Sequence, residues 1–230
     1  MRFGVFSDIH GNLKAFQVLW ASLRRQECDR YFFLGDICGY YYSQNEIITF
    51  LKTIPDLVAI AGNHDRIFLE AVQQGASLKG YTSSYGKSLE IFQKTATQES
   101  IDYLVSLPLK WFSQDQEIAL FHGSPWDPDE YVYPDSSVER FKNIPWRWVF
   151  LGHTHYAMDR KFLGGRVINP GSCGQPRDAL LASYAVVNTD SDEVAFHRVD
   201  YDRKDLIAEI RKYEEKNPYL TDALVQQRNS

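Results

Sequence analysis

The sequence predicts an α/β fold that contains both parallel and antiparallel strands. In the first half of the chain, short apolar runs alternate with stretches whose apolar residues recur at helical spacing. This alternation is typical of parallel strands joined by crossover helices. In the second half, pairs of apolar runs flank short polar or glycine-containing turns, which indicates antiparallel hairpins. We therefore expect a mixed sheet.

Five short apolar runs are predicted to be buried strands. They cover residues 2–6, 31–34, 57–61, 118–121 and 148–151. Asn12 is a suitable N-cap for a helix after the first strand, whose apolar residues lie on one face. These residues are Leu13, Phe16, Trp20 and Leu23. Residues 45–51 are predicted to form a second helix.

Three hairpins are predicted in the second half. They pair 109–113 with 117–122 around Gln114 to Gln116, 158–162 with 166–169 across Gly164 and Gly165, and 182–187 with 194–199 across 190–192. A closing amphipathic helix follows, with an apolar face formed by Leu206, Ile207, Ile210 and Tyr213. Asn217 and Pro218 are expected to break it before a polar tail.

The composition is typical of a folded globular domain. Of 230 residues, 44% are apolar and 14% aromatic, which excludes a disordered or collagen-like chain. At this length, one domain covering residues 1–230 is the default. The 25 Lys and Arg residues against 30 Asp and Glu residues give a net charge of -5, which makes duplex nucleic acid an unfavourable partner.

The cysteines and the first residues of the chain indicate the cellular compartment of the protein. Cys28, Cys38 and Cys173 are too few and too far apart for a disulfide framework, and no CxxC pair suggests a structural zinc site. Asp8 and His10 interrupt the apolar run that a signal peptide would need, and no window approaches the length of a membrane span. We expect a cytoplasmic protein with no membrane partner.

Polar loops follow the five predicted strands, and their Asp, Asn and His residues indicate the function. The segments are Asp8 to His10, Asp36, Asn63 to Asp65, His122 to Ser124, and His153 to His155. Five of the six histidines lie in them, whereas His197 falls inside a late strand and is expected to be structural. Because the carboxyl ends of strands in an open α/β sheet meet at one crevice, we expect these side chains to form one site.

The side chains of these loops predict a metal centre. Carboxylate, amide and imidazole ligands without thiolates suit manganese, iron, zinc or nickel rather than copper(I). The ligands suffice for two ions, and Asp36 is the best candidate for a bridging carboxylate. Two ions about 3.5 to 4 Å apart hold the attacking and leaving oxygens in phosphoryl chemistry. With two carboxylates and a bridging hydroxide, such a centre carries about +1, which attracts a phosphate.

Five motifs along the chain resemble those of the calcineurin-like metallophosphoesterases. They are DIH at 8–10, GD at 35–36, GNHD at 62–65, HG at 122–123 and GHTH at 152–155. The segment NPGSCGQPRD at 169–178 extends the likeness to small prokaryotic phosphodiesterases. The resemblance implies a four-layer αββα sandwich, in which two mixed sheets pack face to face and helices cover both outer faces.

The resemblance also implies roles for the site residues. One metal ion would be held by Asp8, His10, Asp36 and His155, and a second by Asp36, Asn63, His122 and His153. His64 would donate a proton to the leaving oxygen. An alternative for His64 is a structural role in which Asp65 fixes it in its loop.

Two better-known branches of the family do not fit. Purple acid phosphatases carry a tyrosine three residues after the bridging aspartate, where this chain has Gly39. Protein Ser/Thr phosphatases read GDxVDRG and GNHE, where this chain reads GDICGYY and GNHD. Small phosphodiesterases usually have a glycine where Tyr41 stands, so the local backbone is expected to differ there.

The predicted function is a metal-dependent phosphoesterase that favours a small phosphodiester or nucleotide. A metal-bound hydroxide would attack phosphorus in line and His64 would protonate the leaving alkoxide. Manganese is the expected ion, with iron, zinc, nickel or magnesium as alternatives. The alternative activities are nucleotide pyrophosphatase and phosphomonoesterase on the same site. A non-enzymatic protein-docking scaffold is disfavoured, because the relative of that kind has lost site histidines that are present here.

Some residues near the motifs could have either a binding role or a structural one. The aromatic residues Tyr40, Tyr41, Tyr42, Trp126, Tyr131 and Tyr133 could stack on a base, although packing is favoured. Arg66 and Arg177 could each contact a phosphate oxygen or form a surface salt bridge. Cys38 is expected to be a small buried residue.

Overall fold

The structure is a computed structural model that describes residues 1–115, 117–214 and 218–225. The strands in these ranges are β1 (Arg2–Phe6), β2 (Arg30–Phe33), β3 (Leu57–Ala59), β4 (Lys110–Phe112), β5 (Ile118–Phe121), β6 (Trp148–Phe150), β7 (Ala157–Phe162), β8 (Gly165–Pro170), β9 (Ala182–Asn188) and β10 (Glu193–Val199). The α-helices are α1 (Leu13–Leu23), α2 (Gln44–Leu51), α3 (Asn63–Gln74), α4 (Lys79–Tyr85), α5 (Ser88–Thr95), α6 (Gln98–Ser106), α7 (Lys204–Tyr213) and α8 (Tyr219–Val225).

The strands form two mixed five-stranded sheets. In the first sheet the order is β10-β9-β1-β2-β3, with β1, β2 and β3 parallel and β9 antiparallel to its two neighbours. In the second sheet the order is β4-β5-β6-β8-β7, with β5, β6 and β8 parallel and the two edge strands antiparallel. Each sheet thus contains three parallel strands, and the predicted site loops follow the carboxyl ends of five of them: β1, β2, β3, β5 and β6.

The main apolar layer lies between the two sheets. Phe3 and Val5 of β1 belong to the same buried cluster as Trp148 and Phe150 of β6. The rings of Phe32 and Phe150 have their centroids 5.6 Å apart, which joins β2 to β6 directly. Because side chains alternate along a strand, Phe6 faces away from this layer and packs under α1. The predicted face-to-face packing of two mixed sheets is confirmed.

The outer faces of the two sheets are covered differently. On the first sheet, Phe16, Leu19 and Leu23 of α1 pack against Phe6 and Phe33. On the second sheet, Phe141 covers Val149, Val167 and Met158, and it comes from a five-residue 3-10 helix, Glu139–Asn143. The predicted α/β sandwich is confirmed, and the helix on its second outer face is this short one.

Most of the elements predicted from sequence are found. Asn12 caps α1, since its side-chain oxygen accepts a hydrogen bond of 3.1 Å from the amide of Ala15. The three hairpins are β4 with β5, β7 with β8, and β9 with β10. The third strand ends at Ala59 rather than Ala61, because the amide of Ala61 bonds to Pro108 instead of β2. Gln116, Asn217 and the tail from 226 lie outside the described residues.

Four helices between β3 and β4 were not predicted. The expectation that Asn63 and His64 lie in a loop is wrong, because α3 begins at Asn63. The seven residues of α4 include glycine, serine and threonine, which are poor helix formers, and the helix is stabilised instead by burial of Tyr81. No helix in the described ranges is long and apolar enough to span a membrane.

Candidate metal centre

Five chain segments bring the predicted ligands to one place. Asp8 and His10 follow β1, Asp36 follows β2, and Asn63 opens α3 after β3. From the second sheet, His122 follows β5, and His153 and His155 follow β6. All of these residues except the half-buried Asn63 are buried. The site therefore lies where the carboxyl edges of the two sheets meet.

A first group consists of Asp8, His10 and His155, whose candidate ligand atoms lie within 4.8 Å of one another. The Nε2 atoms of His10 and His155 are 2.9 Å apart. Asp8 Oδ1 is 3.8 Å from the first of these nitrogens and 3.5 Å from the second. Three donor atoms are thus directed at one point.

A second group consists of Asp36, His122 and His153, with the same spacing limit of 4.8 Å. Asn63 joins this group through its side-chain oxygen, 3.0 Å from Nε2 of His122. The Nε2 atom of His153 lies 3.2 Å from the carbonyl oxygen of Asp129, which leaves Nδ1 for a ligand. The second group therefore offers two imidazoles, an amide oxygen and a carboxylate.

Asp36 lies between the two groups. Its Oδ2 is 3.7 Å from Nε2 of His10 and 3.3 Å from Nε2 of His122. This oxygen and Oδ2 of Asp8 are buried and have no hydrogen-bond partner among the described residues. Two unsatisfied carboxylate oxygens inside a protein are costly unless a cation pairs with them, so these residues fit a centre that holds metal ions.

Backbone carbonyls orient three of the imidazoles. The Nδ1–H groups of His10, His122 and His155 donate to the carbonyl oxygens of Cys38, Leu34 and Gln175, at 2.8, 2.7 and 2.7 Å. These bonds leave Nε2 of each ring as a lone-pair donor. In His10 and His155 two such lone pairs face each other at 2.9 Å, an arrangement that a shared cation would stabilise.

The backbone around the ligands is strained. Asp8, His10, Asp36, His153 and His155 all have positive φ, between 52° and 69°. Non-glycine residues in this region cost about 1 to 3 kcal/mol each and persist where the surrounding structure holds them. The strain aims five candidate ligands inward from loops that would otherwise direct them elsewhere. Strain of this kind is concentrated at functional sites.

Asp65 and Gly62 hold Asp36 in position. The Asp65 carboxylate accepts hydrogen bonds from the amides of Asp36, Cys38 and Gly62, at 2.9, 2.9 and 3.0 Å. A Cβ atom on Gly62 would lie 2.0 Å from Oδ1 of Asp36, so only glycine fits there. None of these three hydrogen bonds reaches the His64 side chain: two go to the loop of Asp36 and the third goes to Gly62, at the start of α3.

Burial and mutual charge shift the titration of the site. Burial lowers the pKa of His10 and of His153 to about 3, so both rings are neutral at pH 7. Burial also opposes the charged form of His122, but the Asp36 carboxylate overcomes it and raises the pKa of His122 to about 9. Burial raises the pKa of Asp8 to about 7. The neutral rings of His10 and His153 can each donate a lone pair to a metal ion, and His122 would lose its extra proton on binding one.

His64 lies next to the ligands without belonging to either group. Its Nε2 is 4.0 Å from Oδ2 of Asp36, and its amide donates to Oδ1 of the same carboxylate at 2.9 Å. His64, His10 and Asp36 form a third set of close donor atoms. Nδ1 of His64 lies 2.7 Å from the hydroxyl of Tyr81 in α4. Sequence reasoning missed Tyr81, because no pattern in its neighbourhood predicted a helix or a contact with the site.

The aromatic residues near the motifs are used mainly for packing. Tyr41 is buried against α7 and α8, and Tyr42 packs on Tyr213 with centroids 4.8 Å apart. Trp126 packs on Phe141 and under Arg140 rather than over the site. Two of them contact the site: the buried ring of Tyr40 packs on His10 at 4.5 Å, and the ring of Tyr131, which remains partly exposed, stacks on His153 at 3.9 Å. Cys38 is buried, and His197 stacks on Tyr184 at 4.7 Å, as expected of structural residues.

Residues 1–192 match the model of the calcineurin-like phosphoesterase superfamily domain. The chain belongs to this superfamily. The family hydrolyses phosphoric esters with divalent metal ions, and the two groups of buried donors provide candidate ligands for such ions. The prediction of a metal-dependent phosphoesterase is therefore confirmed at the level of the class.

The chain is also similar to one protein of known sequence and to two solved structures. An uncharacterized protein of Methanocaldococcus jannaschii is 29% identical over 235 residues, which cover 90% of this chain and 91% of the relative. A metallophosphoesterase from Sphaerobacter thermophilus has a TM-score of 0.82 and 27% identity, with 97% of this chain and 98% of that chain covered. A hypothetical protein of Pyrococcus horikoshii shares the fold with a TM-score of 0.82 at 23% identity, over 100% and 99% of the two chains.

Proposed function

We propose that the protein is a phosphodiesterase with a dinuclear metal centre bridged by Asp36. The observation that carries the proposal is the position of Asp36 Oδ2, which is buried, lacks a hydrogen bond and faces imidazoles of both groups, at 3.7 and 3.3 Å. A bridging carboxylate needs this relation to two sets of ligands.

Each ion would have four protein ligands. The first ion would bind Asp8, His10, Asp36 and His155, and the second would bind Asp36, Asn63, His122 and His153. When bound, the two ions supply Lewis acidity and lower the pKa of a coordinated water. Manganese suits this mixture of hard oxygens and imidazoles, and iron, zinc, nickel and magnesium are the alternatives to be compared with it.

His64 is assigned as the general acid for the leaving oxygen. The two ligand sets already use His10 and Asp36, so His64 is the remaining imidazole at the site. Its contact with Tyr81 occupies Nδ1 and leaves Nε2 facing the centre, 4.0 Å from Asp36. In its protonated form the ring would donate Nδ1–H to the Tyr81 hydroxyl and give its Nε2 proton to the leaving oxygen, which leaves a neutral imidazole.

A diester is favoured over a monoester or a nucleotide anhydride. A singly charged diester matches the small positive charge of about +1 expected for the centre. The rings of Tyr85 and Tyr131 are partly exposed beside His64 and His153, with centroid distances of 5.4 and 3.9 Å. They offer surface to the organic arms of a diester. A pure docking scaffold would not need seven convergent ligands.

The proposal is tested by metal analysis combined with a substrate panel. Protein purified without chelator is expected to contain about two divalent ions per chain and to hydrolyse a phosphodiester. The panel contains a diester, a 2′,3′-cyclic nucleotide, a dinucleoside polyphosphate and a monoester. Protein that carries no metal after incubation with manganese and cleaves none of these esters would overturn the proposal.

A further inference from the structure

Two arginines beside the candidate centre differ in their partners. Arg66 forms an ion pair with Asp129. Arg177 forms no ion pair among the described residues, and its Nε is buried without a hydrogen bond. Its guanidinium donates a long hydrogen bond of 3.5 Å from Nη2 to the hydroxyl of Tyr40. Of the two arginines, only Arg177 is available to an anion.

The carboxylate of Asp178, next to Arg177 in the chain, forms an ion pair with a different arginine, Arg198. Asp178 follows Arg177 directly, but its two oxygens accept from Nη1 and Nη2 of Arg198, at 2.9 and 2.6 Å. The same carboxylate accepts a hydrogen bond of 2.9 Å from the amide of Ala157. These three bonds occupy three of the about four acceptor sites of the carboxylate, with donors in β7 and β10. Arg177 therefore stays unpaired even though an acidic residue stands next to it in the chain.

Arg177 lies against the site. Its amide donates to the carbonyl of His155 at 3.3 Å, which ties its backbone to a predicted ligand. Tyr40, its hydrogen-bond partner, packs 4.5 Å from the ring of His10 and 5.3 Å from that of His64. The guanidinium is thus next to the imidazoles where a phosphate would bind.

An unpaired, partly buried guanidinium destabilises the folded state, because it loses hydrating water without gaining an anion as a partner. Its planar fork matches the oxygens of a phosphoryl group. We propose that Arg177 binds a non-bridging phosphoryl oxygen of the substrate and determines how well the site accepts a second negative charge. This inference rests on the proposed phosphoesterase function. It assigns no such role to Arg66.

The test compares Arg177→Met and Arg177→Lys with Arg66→Met, each in the full chain loaded with manganese. Calorimetry measures the binding of inorganic phosphate, and kinetics measure kcat and KM for bis-nitrophenyl phosphate and for nitrophenyl phosphate. We expect Arg177→Met to weaken phosphate binding by about 10- to 100-fold. Its kcat/KM should fall more for the doubly charged monoester than for the diester. Arg177→Lys should recover part of the loss, since it keeps the charge without the fork.

The control variant and the thermal midpoint separate binding from folding. Arg66→Met should change phosphate binding by less than about threefold, as expected for an exposed ion pair. The thermal midpoint of Arg177→Met should be unchanged or higher, because an unpaired charge is removed, whereas a structural role would lower it. The inference is overturned if Arg177→Met binds phosphate within about threefold of the wild type, or if Arg66→Met loses as much.

The outcomes also separate this inference from the proposed function. If the wild type binds phosphate through Arg177 but hydrolyses no ester, the proposed function fails and the binding role of Arg177 stands. If the wild type hydrolyses diesters and Arg177→Met behaves like it, only the role of Arg177 is wrong.

Discussion

The hydroxyl of Tyr81 lies 2.7 Å from Nδ1 of His64, and both residues are buried. The other ring nitrogen of His64 faces Asp36 at 4.0 Å. Tyr81 therefore fixes the imidazole so that Nε2 points to the metal centre, and it does so without adding a negative charge. Burial keeps the pKa of Tyr81 well above its ordinary value, so the hydroxyl stays uncharged and can accept a hydrogen bond from Nδ1–H of the protonated ring, the form that acts as an acid.

We expect His64→Ala to retain both metal ions while hydrolysis slows by about 10² to 10⁴ for substrates with poor leaving groups. The loss should shrink with nitrophenyl esters, whose leaving oxygen hardly needs a proton. The measurement is kcat against leaving-group pKa, with metal content determined on the same samples. If His64→Ala loses one metal ion, His64 is a ligand instead. If kcat falls equally for esters with good and poor leaving groups, His64 is not the general acid.

Tyr81→Phe should show the same dependence on the leaving group at smaller size, about 2- to 10-fold, which is the range of one neutral hydrogen bond. Metal content should not change, because Tyr81 contacts no predicted ligand except through His64. Tyr103→Phe is the control, since Tyr103 is a partly buried tyrosine of α6 with no hydrogen bond to His64. A uniform loss on good and poor leaving groups would mean that Tyr81 only supports packing.

Asp36→Asn should abolish occupancy by two metals and lower activity by more than about 10²-fold, because it removes the bridging charge. The fold should be retained, since asparagine also tolerates the positive φ of 64° found at this position. Asp56→Asn is a matched control: the same substitution, at a φ of 52°, on an exposed residue outside the site. Normal turnover with two bound ions in Asp36→Asn would show that Asp36 is not the bridge.

Gly62→Ala is expected to disturb the centre through sterics alone. The added Cβ would lie 2.0 Å from Oδ1 of Asp36 and 2.4 Å from its amide nitrogen. Overpacking of this kind costs about 1 to 3 kcal/mol, and the displaced carboxylate should weaken metal binding. Gly80→Ala in α4 meets nothing within 4 Å and should be neutral or stabilising by up to about 1 kcal/mol. Chemical denaturation and metal titration of the two variants provide the comparison.

The substrate preference can be measured at saturating manganese. We expect a higher kcat/KM for bis-nitrophenyl phosphate or a 2′,3′-cyclic nucleotide than for a simple monoester, with inhibition by chelators and recovery on adding manganese. A monoester that is better by more than about tenfold, or roughly 1.4 kcal/mol in transition-state binding, would refute the diesterase proposal. The broader phosphoesterase class would remain.

The amino-acid sequence is enough to identify the residues that could carry the chemistry. Asp8, His10, Asp36, Asn63, His122, His153 and His155 each follow an apolar run, and the order of strands and hairpins is also visible there. Both features are local: a strand needs a few apolar residues in succession, and the end of a strand is the place for a polar loop. Periodicity and position along the chain are sufficient to read them.

The arrangement of these residues relative to one another depends on contacts between distant parts of the chain. The location of Asp36 between the two groups depends on Gly62 and Asp65, more than 25 residues away, and Tyr81 reaches His64 from a helix that propensity does not favour. The sequence left Arg66 and Arg177 equivalent, and it is Asp129 and Arg198 that make them different. Contacts of this kind join distant segments. Their partners are selected by packing of the two sheets and the surrounding helices, which no local pattern encodes.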